Sequence, residues 1–524
     1  MNYGFVIDNR KCIGCHACTV ACKAEHDVPL GVNRTWVKYI EKGEFPDARR
    51  FFSVLRCNHC ADAPCVTICP VTSLYTREDG IVDFDPNRCI GCKACMQACP
   101  YDALYIDPNS HTAAKCNFCA HRIEVNLEPP CAVVCPEHAI IAGDLDDPAT
   151  EISQLVRLQQ IQVRKPEKGT NPKVFYIDGD AASLTPAAAP IPDTYVFSQP
   201  RMPGVLPTGP ATSSTGVLSD ELWQRVQAAV SGAAPSARRI YDAGQTHQDS
   251  WGWKVSAYLW TKSIAAGSLM VTPFLWGWGN PAHEASLRLA TTVLSLIFLA
   301  LTGALLLADL KRPDRFLWVL TRPQWGSWLT RGSYILLAFG AIATGLLVSQ
   351  IAGWTVLWNW LALPAVAAGA GAAVYTAFLF WQSKGRDLWQ SPLLPLHLML
   401  QAVVAGLACV LLIRAVDSQP LPTGSGVIEA WLWYALLASA ALILLESTAI
   451  HQTADAKAAA RFMHTGWRLG VFAGGVMIAG HIVPLVLLYA PSSRASALAA
   501  VGVLAGLACF EHLFVRAGQS VPLS

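Results

Sequence analysis

Sixteen cysteines crowd between Cys12 and Cys135 in four quartets: Cys12, Cys15, Cys18, Cys22; Cys57, Cys60, Cys65, Cys69; Cys89, Cys92, Cys95, Cys99; and Cys116, Cys119, Cys131, Cys135. The first and third have the spacing C-x2-C-x2-C-x3-C, in which three thiolates hold one iron–sulfur cube and the fourth goes to a neighbouring cube. Four quartets predict four [4Fe-4S] clusters. Zinc is the competing metal, but its tetrahedral sites use two C-x2-4-C pairs a longer loop apart. Three cysteines at steps of three, twice repeated, would crowd so small an ion. Three quartets close with Cys-Pro, at Cys69-Pro70, Cys99-Pro100 and Cys135-Pro136, where the fixed proline φ suits a sharp exit from a loop. The first closes with Cys22-Lys23 instead.

Positioning sixteen ligands asks for a repeated scaffold, and one is visible. A short strand, Phe5-Val6-Ile7-Asp8, leads into Cys12, and Gly80-Ile81-Val82-Asp83-Phe84-Asp85 leads into Cys89 in the same way. Strand, cysteine run, then helix marks an internal repeat of ferredoxin-like units. Return strands are expected over residues 101–107 and 139–143. Gly14, Ala17, Gly91, Ala94 and Ala98 fill the loops, because backbone must come close enough to the inorganic sulfurs for amide protons to reach them. Tyr75, Tyr101 and Phe118 either shield clusters from water or simply pack. His59, His121, Arg56, Arg88, Lys93, Lys115 and Arg122 lie beside ligands. Positive charge there raises a cluster's potential, although a solvated surface would carry the same residues.

The 524 residues suffice for more than one domain. Only Cys409 and Cys509 lie beyond residue 135, each in an apolar run where a buried thiol is the ordinary role. Residues 1–180 read as an α+β tandem of ferredoxin-like units, two lobes with four clusters. Residues 181–250 read as a Pro/Ala/Ser-rich connector, and 251–516 as an all-α polytopic membrane domain. Around the connector the pattern predicts a helix over 155–163, a strand over 174–177 and an amphipathic helix over 218–230, while 181–214 has little to build a core from. Tethering the two halves raises their effective concentration above that of separate subunits.

Eight apolar stretches have membrane-spanning length: 254–278, 287–309, 332–352, 357–381, 393–415, 430–450, 466–489 and 495–516. An even count returns the C-terminus to the side of the cysteine domain. Loops on that side carry Lys311, Arg312, Arg315, Arg322, Arg331, Lys384, Arg386, Lys457, Arg461 and Arg468, against Arg288, Arg414 and Arg494 opposite. Ten cations against three predict a cysteine domain and C-terminus facing the cytoplasm from the inner membrane. The absence of an apolar signal core or twin-arginine leader over Met1 to Arg10 leads to the same expectation, as does the need for reduced thiols. A net charge of +2 and the lack of any polynucleotide motif argue against nucleic acid.

Cys12-Ile13-Gly14-Cys15-His16-Ala17-Cys18, Cys57-Asn58-His59-Cys60 and Cys89-Ile90-Gly91-Cys92-Lys93-Ala94-Cys95 carry a resemblance to the four-cluster electron-transfer subunits that accompany molybdopterin oxidoreductases, among them the dimethyl sulfoxide, polysulfide and formate enzymes. The resemblance implies crosswise ligation: Cys12, Cys15, Cys18 and Cys135; Cys22, Cys116, Cys119 and Cys131; Cys57, Cys60, Cys65 and Cys99; Cys69, Cys89, Cys92 and Cys95. The second half resembles the NrfD/PsrC type of quinone-linked membrane anchor, through Trp251-Gly252-Trp253-Lys254, Tyr258 to Gly267, and Trp389-Gln390-Ser391-Pro392-Leu393-Leu394-Pro395. Those two parts are normally separate subunits; here they are fused. No molybdopterin motif is present, so the resemblance implies a cytoplasmic molybdopterin subunit, with molybdenum or tungsten, as catalytic partner and the membrane quinone pool as the other electron partner.

Charged groups inside apolar helices are costly and point to function. Lys262, Asp309, Glu446, His481 and Glu511 are such groups, with His397 and His512 at helix ends. Quinone chemistry moves two protons with two electrons, so hydrogen-bonding and acid–base side chains are expected at the headgroup. Tyr258, Lys262 and Asp309 are the expected quinone-site residues, with Tyr375 and His397 nearby. For Asp309, Glu511 and His512 the plain alternative is snorkelling from helix ends. His397 and His481 could in principle clasp a haem, but no repeated histidine pair exists and the resembled family lacks haem, so haem is not expected. The leading function is electron transfer between the quinone pool and the catalytic partner in a respiratory complex. The alternatives are a redox-driven proton translocator using Glu446, His481 and Glu511, and a non-catalytic anchor.

Overall fold

The computed structural model describes residues 1–43, 47–191, 237–242, 244, 251–274, 281–416, 426–448, 453–490 and 492–524. Strand β1 (Tyr3–Asp8) is buried from Gly4 onward and lies inside a four-stranded sheet of order β8-β1-β10-β9, with β8 at Ile140–Asp144, β9 at Ile161–Gln162 and β10 at Val174–Ile177. It pairs antiparallel with β8 and parallel with β10. Alternation sends its side chains to two faces: Phe5 and Ile7 pack with Cys18, Phe118 and Tyr176, while Val6 packs with Ile141, Ile152 and Ile177. Helix α6 (Glu151–Leu158), which supplies Ile152, starts at Thr150, whose hydroxyl accepts the Ser153 amide at 3.3 Å. It starts ahead of the predicted 155–163 and stops at Leu158, inside that range, because Ile161 and Gln162 instead pair with β10.

Two short antiparallel pairs repeat around the third and fourth quartets: β4 (Leu74–Thr76) with β5 (Val82–Phe84), and β6 (Tyr105–Ile106) with β7 (Ala113–Ala114). A third sheet joins β2 (Thr35–Lys42) and β3 (Arg49–Arg56) to β11 (Arg238–Tyr241). Strand β11 falls in the stretch read as connector, yet it adds an edge to the cysteine half. Helix α7 (Ala181–Leu184) also packs back, Ala182, Ala189 and Ala237 being buried against Ile40. The expected helix over 218–230 and most of the connector lie outside the described residues. Short helices α1 (Ala17–His26), α2 (Pro64–Ile68), α3 (Ala94–Ala98), α4 (Ala120–Ile123) and α5 (Pro130–Val133) carry or follow the cysteines.

The second half is a helical bundle. Helices α8 (Trp253–Val271), α9 (Pro281–Asp309), α10 (Trp328–Ile351), α11 (Thr355–Gln382), α12 (Leu394–Val416) and α13 (Gly426–Thr448) are followed by amphipathic α14 (Ala454–Met463). Helix α15 (Trp467–Leu487), π-helical over Val471–Ile482, and α16 (Ser493–Gly518) complete it. Seven of these, α9 to α13, α15 and α16, are long and apolar enough to cross a membrane. The eighth, α8, contacts α9, α11, α12 and α16. Burial on all sides lets α8 carry Ser256, Thr261, Lys262, Ser263 and Ser268 inside the protein, which makes it less apolar than its neighbours. Gly267 and Gly406 let α8 and α12 touch backbone to backbone, since a Cβ on Gly406 would stand 2.3 Å from the Gly267 carbonyl carbon. Such close approach drives helix association where hydrophobicity cannot.

One hydrophobic cluster runs from Cys57, Ile68, Cys95 and Tyr101 into Trp251, Tyr258, Phe380 and Trp389, so the halves share a core. Membrane-side loops bond the cysteine loops directly: Lys311 and Arg312 amides to the Gly91 and Ile90 carbonyls, and the Gly385 amide to the Gln97 carbonyl. The chain ends there too, with the Ser524 hydroxyl 2.8 Å from Asp102 Oδ2. The C-terminus and the cysteine domain therefore lie on one side of the bundle.

Candidate functional site

The cysteine loops share a backbone shape. Gly14 and Gly91 have φ of 71° and 68°, and two residues on, His16 and Lys93 have φ of 61° and 64°. Both glycines also face neighbours: a Cβ on Gly14 would stand 2.3 Å from the Phe52 ring, and one on Gly91 2.6 Å from Lys311 Cβ. Left-handed residues turn successive amides inward, making a concavity of N–H donors. Amides of Ser73, Ala113 and Ala139 donate to Cys69, Cys89 and Cys135 sulfurs at 3.2–3.3 Å.

The structure brings the cysteines together crosswise. Cys12 interacts electrostatically with Cys135 and Cys15, and Cys18 with Cys131 and Cys12. Cys22 meets Cys116 and Cys131, which also surround Cys119. Cys60 and Cys65 meet Cys57 and Cys99. Cys92 and Cys95 meet Cys69 and Cys89. Burial pushes the Cys60 thiol up to about 12, so holding such groups as thiolates requires a bound cation.

Arg56, at the end of β3, suits an anionic cluster beside it. It is 1 % exposed, donates Nη1 to Cys131 Sγ at 3.3 Å, and lies over the Phe5 ring at 4.3 Å. Its Nε and Nη2 have no hydrogen-bond partner among the described residues. Burial alone would pull this guanidinium down, but the thiolates of Cys131, Cys116 and Cys18 outweigh it and hold it up. A buried cation with sulfur neighbours requires an anionic group beside it, which a thiolate-ligated cube supplies. His26 Nε2 adds a contact to Cys119 Sγ at 3.1 Å; burial pulls His26 down to about 4, leaving a neutral ring to donate.

The other flanking groups sort differently. His59, fully buried, accepts the Val82 amide through Nδ1 at 3.2 Å, whereas His121 is exposed and paired with Glu25 at 2.8 Å. Lys115 turns its ammonium onto the Val82 and Cys116 carbonyls. Arg88 pairs with Asp85 at 3.3 Å, and Arg122 with the Glu128 carbonyl at 3.0 Å. Lys93 leaves its loop altogether and bonds Asp309 Oδ1 at 2.9 Å.

Asp309 lines a cavity of about 910 Å³ whose wall also includes Cys92, Trp251, Tyr258 and Tyr375. The Trp251 indole N–H is fixed on the Cys92 carbonyl at 3.1 Å. Two of the three expected quinone-site residues, Tyr258 and Asp309, line this space. Lys262 stands behind it: its ammonium reaches the Ala373 carbonyl at 2.9 Å and Thr376 Oγ1 at 2.7 Å, 5.0 Å from the Tyr375 ring centre. Glu446 is not near the cavity; it faces His397 Nδ1 at 2.5 Å. His481 Nδ1 lies 2.8 Å from the Val476 carbonyl and Nε2 3.2 Å from Ser439 Oγ. Glu511, 1 % exposed, is in electrostatic reach of Lys262 and His397. The expected proton-path trio of Glu446, His481 and Glu511 therefore does not form one file.

Profile comparison matches residues 242–522 to the polysulphide reductase NrfD family. The chain belongs to the NrfD family. Two 4Fe-4S dicluster profiles match residues 11–74 and 48–145 ahead of the NrfD domain. A tetrathionate reductase subunit of Salmonella typhimurium is 44 % identical over 188 residues, 35 % of this chain and 75 % of that protein. Protein NrfC of Escherichia coli is 42 % identical over 180 residues, 34 % of this chain and 81 % of its own. A polysulfide reductase chain of Wolinella succinogenes is 39 % identical over 180 residues, 33 % of this chain and 93 % of its own. This NrfD protein is thus a multi-pass membrane anchor fused behind a [4Fe-4S] electron-transfer domain.

Several contacts around the NrfD domain escape sequence reading. The Lys93–Asp309 bridge joins residues 216 positions apart, and His397–Glu446 joins α12 to α13. The only available signal was that each is a charged group where apolar residues are the rule.

Proposed function

We propose that this chain carries electrons between a membrane quinone and a cytoplasmic molybdopterin-containing catalytic subunit through four [4Fe-4S] clusters. The ligand sets are Cys12/Cys15/Cys18/Cys135, Cys22/Cys116/Cys119/Cys131, Cys57/Cys60/Cys65/Cys99 and Cys69/Cys89/Cys92/Cys95. When bound, the clusters supply one-electron carriage; the protein residues do the rest. The Cys69/Cys89/Cys92/Cys95 set is the membrane end of the array, because Cys92 itself borders the large cavity. That single observation carries the proposal. Cys15, the exposed cysteine, marks the other end, where the partner docks.

In the cavity, Tyr258 and Asp309 are the polar partners of a quinone headgroup, and Leu296, Leu299 and Leu336 wall its isoprenoid tail. A mostly apolar pocket with a few convergent polar groups suits such a ligand. Lys93 holds the Asp309 carboxylate in place and Trp251 shuts water from the Cys92 loop. Residues 1–180, 181–250 and 251–516 are then the wire, the tether and the quinone module.

The test is anaerobic addition of a naphthoquinol analogue to the purified full chain, followed by electron paramagnetic resonance. About sixteen iron atoms per chain, and cluster signals that a quinol-site occupant abolishes, support the proposal. Full cluster loading with no quinol-dependent signal, and no cluster-dependent oxidation of quinol, refutes it. Affinity purification from native membranes tests the partner: a co-purifying molybdenum or tungsten subunit is expected.

A further inference from the structure

A second cavity, of about 420 Å³, lies on the cysteine-domain side between the loop ahead of α12 and helices α13, α14 and α16, at the Lys168–Asp387 contact. Its wall includes Ser391 and Glu446, and Ser391 Oγ donates to Glu446 Oε1 at 3.3 Å. The other Glu446 oxygen faces His397 Nδ1 at 2.5 Å. His397 is 2 % exposed, stacks on Phe510 at 4.8 Å, and leaves Nε2 without a hydrogen-bond partner among the described residues. The next residue on α16, Glu511, buries both carboxylate oxygens, also without a hydrogen-bond partner among the described residues. Glu511 is in electrostatic reach of His397 and of Lys262, and Tyr258, in the wall of the large cavity, is in reach of Glu511.

Buried, unpartnered acid and imidazole groups inside a membrane bundle are costly unless they act. From the large cavity to the polar one, Tyr258, Glu511 and His397 follow one another within electrostatic reach, and His397 meets Glu446 directly. His481 is not among them. Both its ring nitrogens are engaged, by the Val476 carbonyl of its own π-helical turn and by Ser439, so it has no free atom to relay a proton.

We propose that Glu511, His397 and Glu446 conduct the protons of quinone chemistry between the large cavity and the Ser391–Glu446 cavity, so that they are exchanged on the cysteine-domain side of the membrane. The proposal rests on the quinone reading above and adds where the protons go. Oxidation of one quinol releases two electrons and two protons. With ferricyanide as terminal oxidant, one quinol and two ferricyanides give one quinone, two ferrocyanides and two protons. Each proton moves to the Glu511 carboxylate, then to His397 Nε2; His397 Nδ1 gives a proton to Glu446, which releases it to water in the polar cavity. Quinone reduction runs the same file backwards.

The test uses the full chain in proteoliposomes with a naphthoquinol analogue and external ferricyanide, which selects molecules whose cysteine domain faces outward. pH-sensitive dyes report inside and outside separately, and the protein-free rate is subtracted. Two protons per quinol are expected outside, with no acidification inside. His397→Ala and Glu446→Gln, with iron content and cluster spectra retained, are expected to lose roughly 10²-fold or more in turnover, the usual effect of removing a proton-transfer group. Exogenous imidazole is expected to restore His397→Ala, an outcome that a packing role would not give. Acidification inside overturns the proposal, as does wild-type turnover in loaded His397→Ala. Absence of quinol oxidation by the wild-type chain instead fails the quinone reading, and this route with it.

Discussion

Replacing Arg56 by Met removes the one buried guanidinium that, among the described residues, donates to a thiol of the Cys22/Cys116/Cys119/Cys131 set. The magnitude follows from geometry. With Nη1 3.3 Å from Cys131 Sγ, an electron added to a cube held by that set would sit about 6 Å from the guanidinium charge, and at an effective dielectric of about 20 the interaction is about 3 kcal/mol. A tenfold change in a one-electron equilibrium is about 1.4 kcal/mol or 59 mV, so this corresponds to roughly 125 mV. Reduction adds negative charge that Arg56 favours, so the variant's potential should fall. Arg56→Lys retains the charge and should move it less than half as far. The assay is a redox titration of the full chain monitored by electron paramagnetic resonance, with iron content confirming loading. A loaded Arg56→Met protein whose four potentials all stay within about 30 mV of wild type would refute the electrostatic role, and an equal shift of every cluster would refute its locality.

Asp309→Asn should raise the quinol KM about tenfold or more while leaving cluster loading intact, because it breaks the Lys93 bridge and changes the cavity's polar partner; unchanged steady-state kinetics would remove Asp309 from the site. Gly406→Ala puts a methyl against the Gly267 backbone, which cannot move aside as a side chain can. A loss of about 1–3 kcal/mol is expected, read as a lowered thermal denaturation midpoint in detergent. Cys99→Ser should remove or alter the cluster shared with Cys57, Cys60 and Cys65, stopping electron flow while the protein still assembles in the membrane. Retained quinol-to-acceptor transfer in that variant would sink the wire. Deleting the last four residues removes the Leu523 carbonyl bonded to Lys165 at 3.0 Å and the Ser524 contact to Asp102. Faster proteolysis at the junction of the halves is the expected outcome.

Local chemistry was legible because it is written in local spacing. The cysteine runs, the glycines of the ligand loops and the strand-loop-helix repeat all follow from steps of two to four residues, and the backbone at Gly14, His16, Gly91 and Lys93 obeys them. Helix spans were legible for a similar reason, since the lipid-facing sides of α9, α10 and α13 must be apolar along their length. Helix α8 was harder to judge: shielded by its neighbours, it is free to hold polar groups.

What sequence could not decide is which distant residues share a site. β11 returns from a stretch of weak pattern to pair with β2, and no periodicity announces an edge strand of four residues. Arg56, Arg88 and Lys93 look alike beside their cysteines, yet one is buried on sulfur, one is a surface pair, and one crosses to the membrane half. Glu446, His481 and Glu511 looked like one path, but helix packing gives Glu446 to His397 and seals His481 in its own turn. The sequence by itself determined the cysteine runs, the apolar helices and the order of the two halves, because those depend on neighbours along the chain. Only tertiary structure decided which cation meets which thiolate, which cysteine borders the cavity and which acid faces which base, because burial and charge act through space and fall off within a few ångströms.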